Sequence, residues 1–123
     1  MKPKVFIGSS LEAKPVADAI DANLQHEAFP KVWTSGVFGL SESTLSSLMR
    51  EVRESDFAIF VFGTDDISVI RGELLTVPRD NVVYELGLFS GALEPARCFF
   101  LAPSDVEIHL PSDLAGSSMQ CLL

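Results

Sequence analysis

A run of six apolar residues in the middle of the chain, Phe57-Ala58-Ile59-Phe60-Val61-Phe62, constrains the fold more than any other segment. A strand with one face in water alternates apolar and polar residues, and this run does not alternate. It therefore predicts a strand that is buried on both faces. Such a strand belongs in the interior of a parallel sheet whose two faces are covered by helices.

Strand-like and helix-like segments alternate along the rest of the chain. Short apolar runs predict strands at residues 4–7, 30–33, 57–62 and 98–101, and helical spacing of apolar residues predicts helices at 11–25, 45–52 and 81–93. Residues 63–80 are interpreted as a turn and a polar connection. Short strand-helix-strand units imply right-handed parallel crossovers. We therefore predict a three-layer, flavodoxin-like α/β sandwich with strand order 2-1-3-4 and room for a fifth strand.

Composition limits the partners and the compartment. The 123 residues suit one domain, and 47% hydrophobic content with nine Phe is enough for a core. A net charge of −8 repels nucleic acid and anionic membranes. Cys98 and Cys121 are predicted to be buried thiols in a reducing compartment, and no run of 18 apolar residues is present, so we expect a cytosolic location.

The helix predicted at 81–93 contains one acid, Glu85, on an otherwise nearly apolar circumference. Asp80, which follows the breaker Pro78, is predicted to be its N-cap. A helix that is apolar all round is buried, so Glu85 is either desolvated or faces a cleft. Buried Glu is uncommon unless it is paired or functional. A carboxylate at the rim that binds a neighbouring loop is an equally open interpretation at this point.

Ligands bind parallel sheets outside the carboxyl ends of the strands, where two further segments of this chain are expected to lie. Gly8-Ser9-Ser10, interpreted as a tight loop, could offer amides and hydroxyls to a phosphate or ribose, or could simply cap a helix. Residues 33–39 could form a lid that presents Trp33 or Phe38 to a flat ring. Alternatively, Trp33 packs at the end of the sheet.

Charged residues at the same edge have less specific interpretations. A turn-forming role for Asp65 and Asp66 is favoured over a metal site, because adjacent side chains diverge. Arg71 and Arg79 could bind a pyrophosphate, but screening of the acidic surface is favoured. No metal site is predicted.

Several motifs together resemble the bacterial TIR-like nucleotide-binding family, which supplies effector domains of cyclic-nucleotide-triggered anti-phage systems, including TIR-STING and Pycsar TIR proteins. The most specific is Pro78-Arg79-Asp80-Asn81-Val82-Val83-Tyr84-Glu85-Leu86-Gly87-Leu88-Phe89. The supporting motifs are Val5-Phe6-Ile7-Gly8-Ser9-Ser10, Thr64-Asp65-Asp66, Arg71-Gly72 and Leu110-Pro111-Ser112-Asp113-Leu114-Ala115-Gly116. The segment Glu94-Pro95-Ala96 departs from the family, in which a connection containing glycine is expected.

The resemblance implies a function for the whole chain. It implies NAD⁺ as substrate with no further cofactor, Glu85 as the catalytic residue, and activity that depends on side-by-side assembly of protomers in the bacterial cytoplasm. Residues 1–123 would then be an NAD-hydrolysing effector domain cut from a longer protein with a C-terminal cyclic-nucleotide sensor or membrane region. From their positions we further predict that the substrate is bound by Gly8, Ser9, Ser10, Trp33, Phe38, Asp80, Asn81 and Tyr84.

Two other functions stay open at this point. A nucleoside deoxyribosyltransferase-like enzyme also uses a helix carboxylate on a flavodoxin-like sheet, but it would release a base from nucleosides. A non-catalytic TIR adaptor would act only by association and would not need a carboxylate in the cleft.

Overall fold

The structure is a computed structural model that describes residues 2–35, 42–103 and 120–121. Its elements follow the predicted alternation of strands and helices. In chain order they are β1 (Lys4–Ser10), α1 (Lys14–Leu24), β2 (Phe29–Ser35), α2 (Glu42–Glu54), β3 (Phe57–Val61), β4 (Asp66–Ile70), β5 (Glu73–Val77), α3 (Asp80–Leu93), a 3₁₀ turn (Pro95–Arg97), β6 (Cys98–Leu101) and β7 (Gln120–Cys121).

The main sheet confirms the predicted topology. It has five strands in the order β2-β1-β3-β6-β7, all parallel, and this order becomes 2-1-3-4-5 when β4 and β5 are left out of the numbering. The chain moves outward from β1 to β2 and then returns to the other side of β1 as β3. The order in which strands are added to the sheet therefore reverses between β1 and β3. Parallel sheets bind ligands outside the carboxyl ends of the two strands at such a reversal.

Helices cover both faces of this sheet, and each face has its own core. On one face, α1 packs on β1 and β2, and Ala17 lies in a cluster with Val5 and Ile7. On the other face, α3 packs on β1, β3 and β6 and contacts α2. The larger aromatic core fills that second face. Its buried members are Phe6, Leu48, Val52, Ala58, Phe60, Phe62, Val82, Leu86, Phe89, Cys98 and Phe100.

A β-hairpin occupies the segment that we interpreted as a polar connection. Strands β4 and β5 pair antiparallel around the turn Arg71-Gly72, where both residues have positive φ, 51° and 84°. Two successive residues with positive φ match the right-handed twist of a two-residue hairpin turn. Ile67, Val69 and Leu74 lie on one face of the hairpin and are 71%, 68% and 74% exposed.

Other local predictions were wrong at the ends of elements. Gly8-Ser9-Ser10 is not a tight loop, because β1 continues to Ser10 and α1 begins at Lys14. Asp80 is not the N-cap of α3, because Arg79 has the extended N-cap conformation and Asp80 is the first helical residue.

Helix α3 is also not buried all round. Tyr84, Gly87, Gly91 and Ala92 are exposed on its outer side, while Glu85 belongs to the buried side. None of the helices in the described ranges is long and apolar enough to cross a membrane.

Candidate active site

Glu85 lies at the carboxyl end of the central strands because of the direction of α3. A crossover helix runs antiparallel to the parallel strands it covers, so the first turns of α3 lie over the ends of β1 and β3. Glu85 and Phe89 are one helical turn apart and face the sheet. The Phe89 ring packs on Phe6 with 4.3 Å between centroids. One helical turn and two strand residues span similar lengths, roughly 5–7 Å, so Glu85 falls near Gly8, two positions beyond Phe6.

The row of residues across the sheet at this level contains one gap. Gly8 pairs in register with Trp33 on one side and with Phe60 on the other, and Phe60 pairs with Phe100. The members on either side of Gly8 are aromatic, and the row ends at Cys121 in β7, which pairs with Phe100. A Cβ placed on Gly8 would lie 2.9 Å from Phe60 Cδ1 and 3.2 Å from Glu85 Oε1. Glu85 Oε1 therefore lies against the space that the missing side chain leaves, on the side where the Phe60 ring also borders it.

This position buries the carboxylate among aromatic groups. Glu85 is 3% exposed, and Phe60 and Phe89 are fully buried with their rings edge to face at 5.7 Å. The buried alternative for Glu85 is thus confirmed over a rim position. In such surroundings a negative charge interacts with a nearby positive charge more strongly than it would in water.

Trp33 lies within β2 on the same face of the sheet. Its ring is 6.0 Å from Phe6, and it is half-buried against the aromatic core. Trp33 therefore packs against the core at the end of the sheet and does not belong to a lid. The lid itself was predicted for the segment that contains Phe38, and residues 36–41 lie outside the described residues.

The serines at the end of β1 point in different directions. Strand alternation places Ser9 on the face of α1, opposite Glu85, and its buried Oγ has no hydrogen-bond partner among the described residues. Ser10 Oγ donates to Asp65 Oδ1 at 2.9 Å and accepts from the Ala13 N–H at 3.2 Å. Ser10 therefore holds the turn that precedes α1, but it is not the helix cap, because the N-cap is Ala13 and no side chain caps it.

The predicted binding residues on α3 occupy two sides of its first turns. Asn81 is half-buried and lies one turn before Glu85 on the same side of the helix. Asp80 and Tyr84 are exposed, Tyr84 at 46%. The Asp80 carboxylate accepts the N–H of Asn81 at 2.8 Å. The structure thus brings Gly8, Trp33 and Asn81 to the side of the carboxylate.

An Arg79-centred network beside this site was not predicted in detail. The Arg79 guanidinium donates from Nε to Asp66 Oδ2 at 2.8 Å and from Nη2 to Glu12 Oε2 at 3.0 Å, and its backbone N–H donates to Asp65 Oδ2 at 3.1 Å. Screening was the favoured role of Arg79, but Arg79 also joins separate segments. The sequence did contain a pattern that favours such a network. An arginine precedes α3 and two acids follow the central strand, and both places lie at the same edge of the sheet.

Electrostatics stabilise the charged forms in this network. A hydrogen bond from its own backbone, and then the one from Arg79, hold the pKa of Glu12 below its ordinary value of 4.5. The Glu12 carboxylate in turn raises the pKa of Arg79, although partial burial opposes that shift. In the part of the chain that the structure describes, no three His, Cys, Asp or Glu side chains are grouped so that they could hold a metal ion.

Comparison with known proteins shows similarity to one family of bacterial TIR domains along nearly the whole chain. The sequence profile of the family described as "CAP12/Pycsar effector protein, TIR domain" matches residues 4–122. The Pycsar effector protein PaPycTIR of Pseudomonas aeruginosa is 51% identical over 113 residues, which is 91% of this chain and 37% of that protein.

Two further relatives give a similar result. The Pycsar effector protein XpPycTIR of Xanthomonas perforans is 45% identical, with 92% of this chain and 38% of that protein covered. The CD-NTase-associated protein 12 of Sphingobacterium faecium is 42% identical, with 94% and 35% covered. The chain thus spans little more than a third of the length of these relatives.

Proposed function

The chain belongs to the family of CAP12/Pycsar effector TIR domains, and from that membership and the position of Glu85 we propose that it is an NAD⁺ hydrolase. The observation that carries the proposal is the buried Glu85 carboxylate, held over Gly8 near the Phe60 ring at the switch point of the sheet. A purely adaptor domain has no need of a buried acid at that place. The cleaved bond joins nicotinamide to its ribose.

The chemistry requires little more than a fixed negative charge. As the bond between C1′ and the pyridinium nitrogen breaks, its electron pair goes to the nitrogen and nicotinamide leaves as a neutral molecule. Positive charge then develops on the ribose, as in glycoside hydrolysis. A carboxylate near the sugar stabilises that charge, and water supplies the oxygen that bonds to C1′ while its proton is released. No general acid is needed for the leaving group.

Access to Glu85 supports a second part of the proposal. Because Glu85 is only 3% exposed, we expect the site to widen before a dinucleotide binds against the carboxylate. We propose that assembly of several copies provides this opening, as part of an anti-phage effector that answers a cyclic nucleotide. The names of the relatives, Pycsar effector protein and CD-NTase-associated protein 12, support that context.

The test is nicotinamide release by the assembled protein. The chain is concentrated through a terminal tag on nickel-lipid vesicles, incubated with NAD⁺, and followed by chromatography. We expect Glu85→Gln to lower the rate by roughly 10²-fold or more, because one transition-state electrostatic contact is commonly worth that much. Glu27→Gln is the matched control, since Glu27 is exposed in the turn after α1.

The outcomes separate the candidate functions. Absence of nicotinamide from the assembled wild type would refute NAD⁺ hydrolysis, and equal rates for wild type and Glu85→Gln would refute the role of Glu85. Release of free base from deoxynucleosides instead would favour the deoxyribosyltransferase-like reaction. Assembly without either activity would favour an adaptor.

A further inference from the structure

The Arg79 side chain joins two segments that are far apart in the sequence. Its Nε contacts Asp66, the first residue of the hairpin, and its Nη2 contacts Glu12, in the turn before α1. The two nitrogens belong to one rigid plane, so the two carboxylates are held in a fixed relation to each other. The arginine side chain is only 23% exposed, while Glu12 is 57% and Asp66 is 44% exposed.

Asp65 links the end of β1 to the start of α3. Its Oδ1 accepts from Ser10 Oγ at 2.9 Å and its Oδ2 accepts from the Arg79 N–H at 3.1 Å. One short carboxylate therefore bridges the last residue of β1 and the N-cap of α3. The bridge fixes the distance between these two ends.

The two bridged ends belong to the elements that carry Gly8 and Glu85. Ser10 lies two positions beyond Gly8 in β1. Glu85 follows Arg79 by six positions, roughly 9 Å along the axis at about 1.5 Å per residue. A shift of the α3 end along the sheet would therefore move the carboxylate relative to the gap at Gly8. Such a shift would either press the carboxylate against the Gly8 backbone or withdraw it from the open space there.

We propose that Asp65 and Arg79 are positioning residues that hold the start of α3 against the end of β1 and so keep the Glu85 carboxylate over Gly8. Neither residue is assigned contact with the reacting bond. The effect of this pair on catalysis rests on the proposed NAD⁺ hydrolysis, whereas its effect on the position of α3 does not.

The first test uses variants of Asp65 and separates kcat from KM. Asp65→Ala removes both bonds, and we expect kcat of the assembled protein to fall roughly 10- to 100-fold with KM changed by less than about threefold, since small misplacements of a reacting group cost rate. Asp65→Asn restores both contacts, because the amide oxygen can accept from the Arg79 N–H and the amide nitrogen can donate to Ser10 Oγ. We expect its kcat within about threefold of wild type.

The second test uses Arg79 and a matched surface pair. Arg79→Lys keeps the charge but cannot donate to Glu12 and Asp66 from two nitrogens of one plane, so we expect a loss of kcat between those of the two Asp65 variants. Asp18→Ala is the control. It removes an exposed partner of Lys14 at 2.8 Å on α1, away from the site, and is expected to leave kcat unchanged.

Amide hydrogen exchange reports how readily the first turn of α3 opens, and the measurement does not depend on activity. The N–H groups of Val82 and Val83 donate to the Arg79 carbonyl at 3.1 and 3.2 Å. We expect Asp65→Ala to accelerate exchange at these two amides while the amides of β3 keep wild-type rates. Asp65→Asn should restore slow exchange.

The outcomes decide the proposal even if the chain does not hydrolyse NAD⁺. An unchanged kcat in Asp65→Ala overturns it, and so do equal losses in Asp65→Ala and Asp65→Asn with a lower melting temperature, which would show a merely structural role. If assembled wild type releases no nicotinamide, the proposed function fails and exchange alone decides. Local acceleration in the first turn of α3 then supports positioning, and unchanged exchange overturns it.

Discussion

Replacing Gly8 by Ala should disturb the core and the site together, because a methyl group there has no free space. The new Cβ would lie 2.9 and 3.1 Å from Phe60 Cδ1 and Cε1 and 3.2 Å from Glu85 Oε1. The Phe60 ring cannot easily withdraw, since it is fully buried and packs against Phe6 at 6.0 Å and Phe89 at 5.7 Å. The structure must shift by a few tenths of an ångström.

The size of the effect follows from two opposing contributions. Overpacking a close-packed core costs about 1–3 kcal/mol. The lower backbone entropy of an unfolded Ala compared with Gly returns roughly 0.5–1 kcal/mol. We therefore expect Gly8→Ala to lower the free energy of unfolding by roughly 0–2.5 kcal/mol, measured by urea denaturation, and to reduce nicotinamide release roughly 10-fold through the displaced carboxylate.

Gly87→Ala is the matched control for this experiment. Gly87 lies on the exposed side of α3, and a Cβ there would meet nothing within 4 Å. Because Ala is a better helix former, this variant should raise the free energy of unfolding by up to about 1 kcal/mol. Equal shifts of the urea midpoint for the two variants, or an unchanged midpoint and rate for Gly8→Ala, would refute the idea that the carboxylate occupies the gap.

Further expectations concern the core, the hairpin and two titrating groups. Phe89→Ala should lower the free energy of unfolding by about 3–5 kcal/mol in urea denaturation, since it removes a buried ring at the centre of the aromatic core. Leu74→Ser should change that free energy by less than about 0.5 kcal/mol, because Leu74 is 74% exposed. Burial raises the pKa of the Cys98 thiol to about 11, so iodoacetamide at pH 8 should label Cys98 only after unfolding, as read by peptide mass spectrometry. The folded state holds that proton more tightly, so the free energy of unfolding should also fall as the pH rises from the ordinary pKa of 9.0 towards 11. The carboxyl carbon of Glu12 should titrate in NMR with a midpoint below 4.5, and a midpoint above it would contradict the bond from Arg79.

The parallel sheet could be predicted from the sequence because its central strand is a run of apolar residues that does not alternate with polar ones. The uninterrupted apolar run at 57–62 is possible only with cover on both faces. The hairpin was missed although apolar residues predominate in both of its strands, with Ile67, Val69 and Ile70 in β4 and Leu74, Leu75 and Val77 in β5. Asp66 and Glu73 begin the two strands and Arg71-Gly72 joins them, so the segment was interpreted as a polar connection and the pairing of β4 with β5 was not expected.

Glu85 could be singled out from the sequence, but neither its burial nor its surroundings could be decided there. The apolar residues around it predicted a helix that is buried all round and left a buried acid and a rim position equally open, whereas only one side of α3 is buried. The gap at Gly8 depends on the register between three strands, which places Trp33 and Phe60 beside it from distant parts of the chain. No local pattern encodes that register. Likewise, the identity of the acids that bind Arg79 depends on where two connections meet in space.

The position of Trp33 makes the site observable by fluorescence. It is the only tryptophan of the chain, it lies beside Gly8 on the face that Glu85 occupies, and it is half-buried. Its emission therefore comes from one known place. A dinucleotide entering the site, a displaced carboxylate or a loosened α3 would each change the surroundings of a single indole, so the spectrum of the unmodified protein reports events at the site without an attached probe.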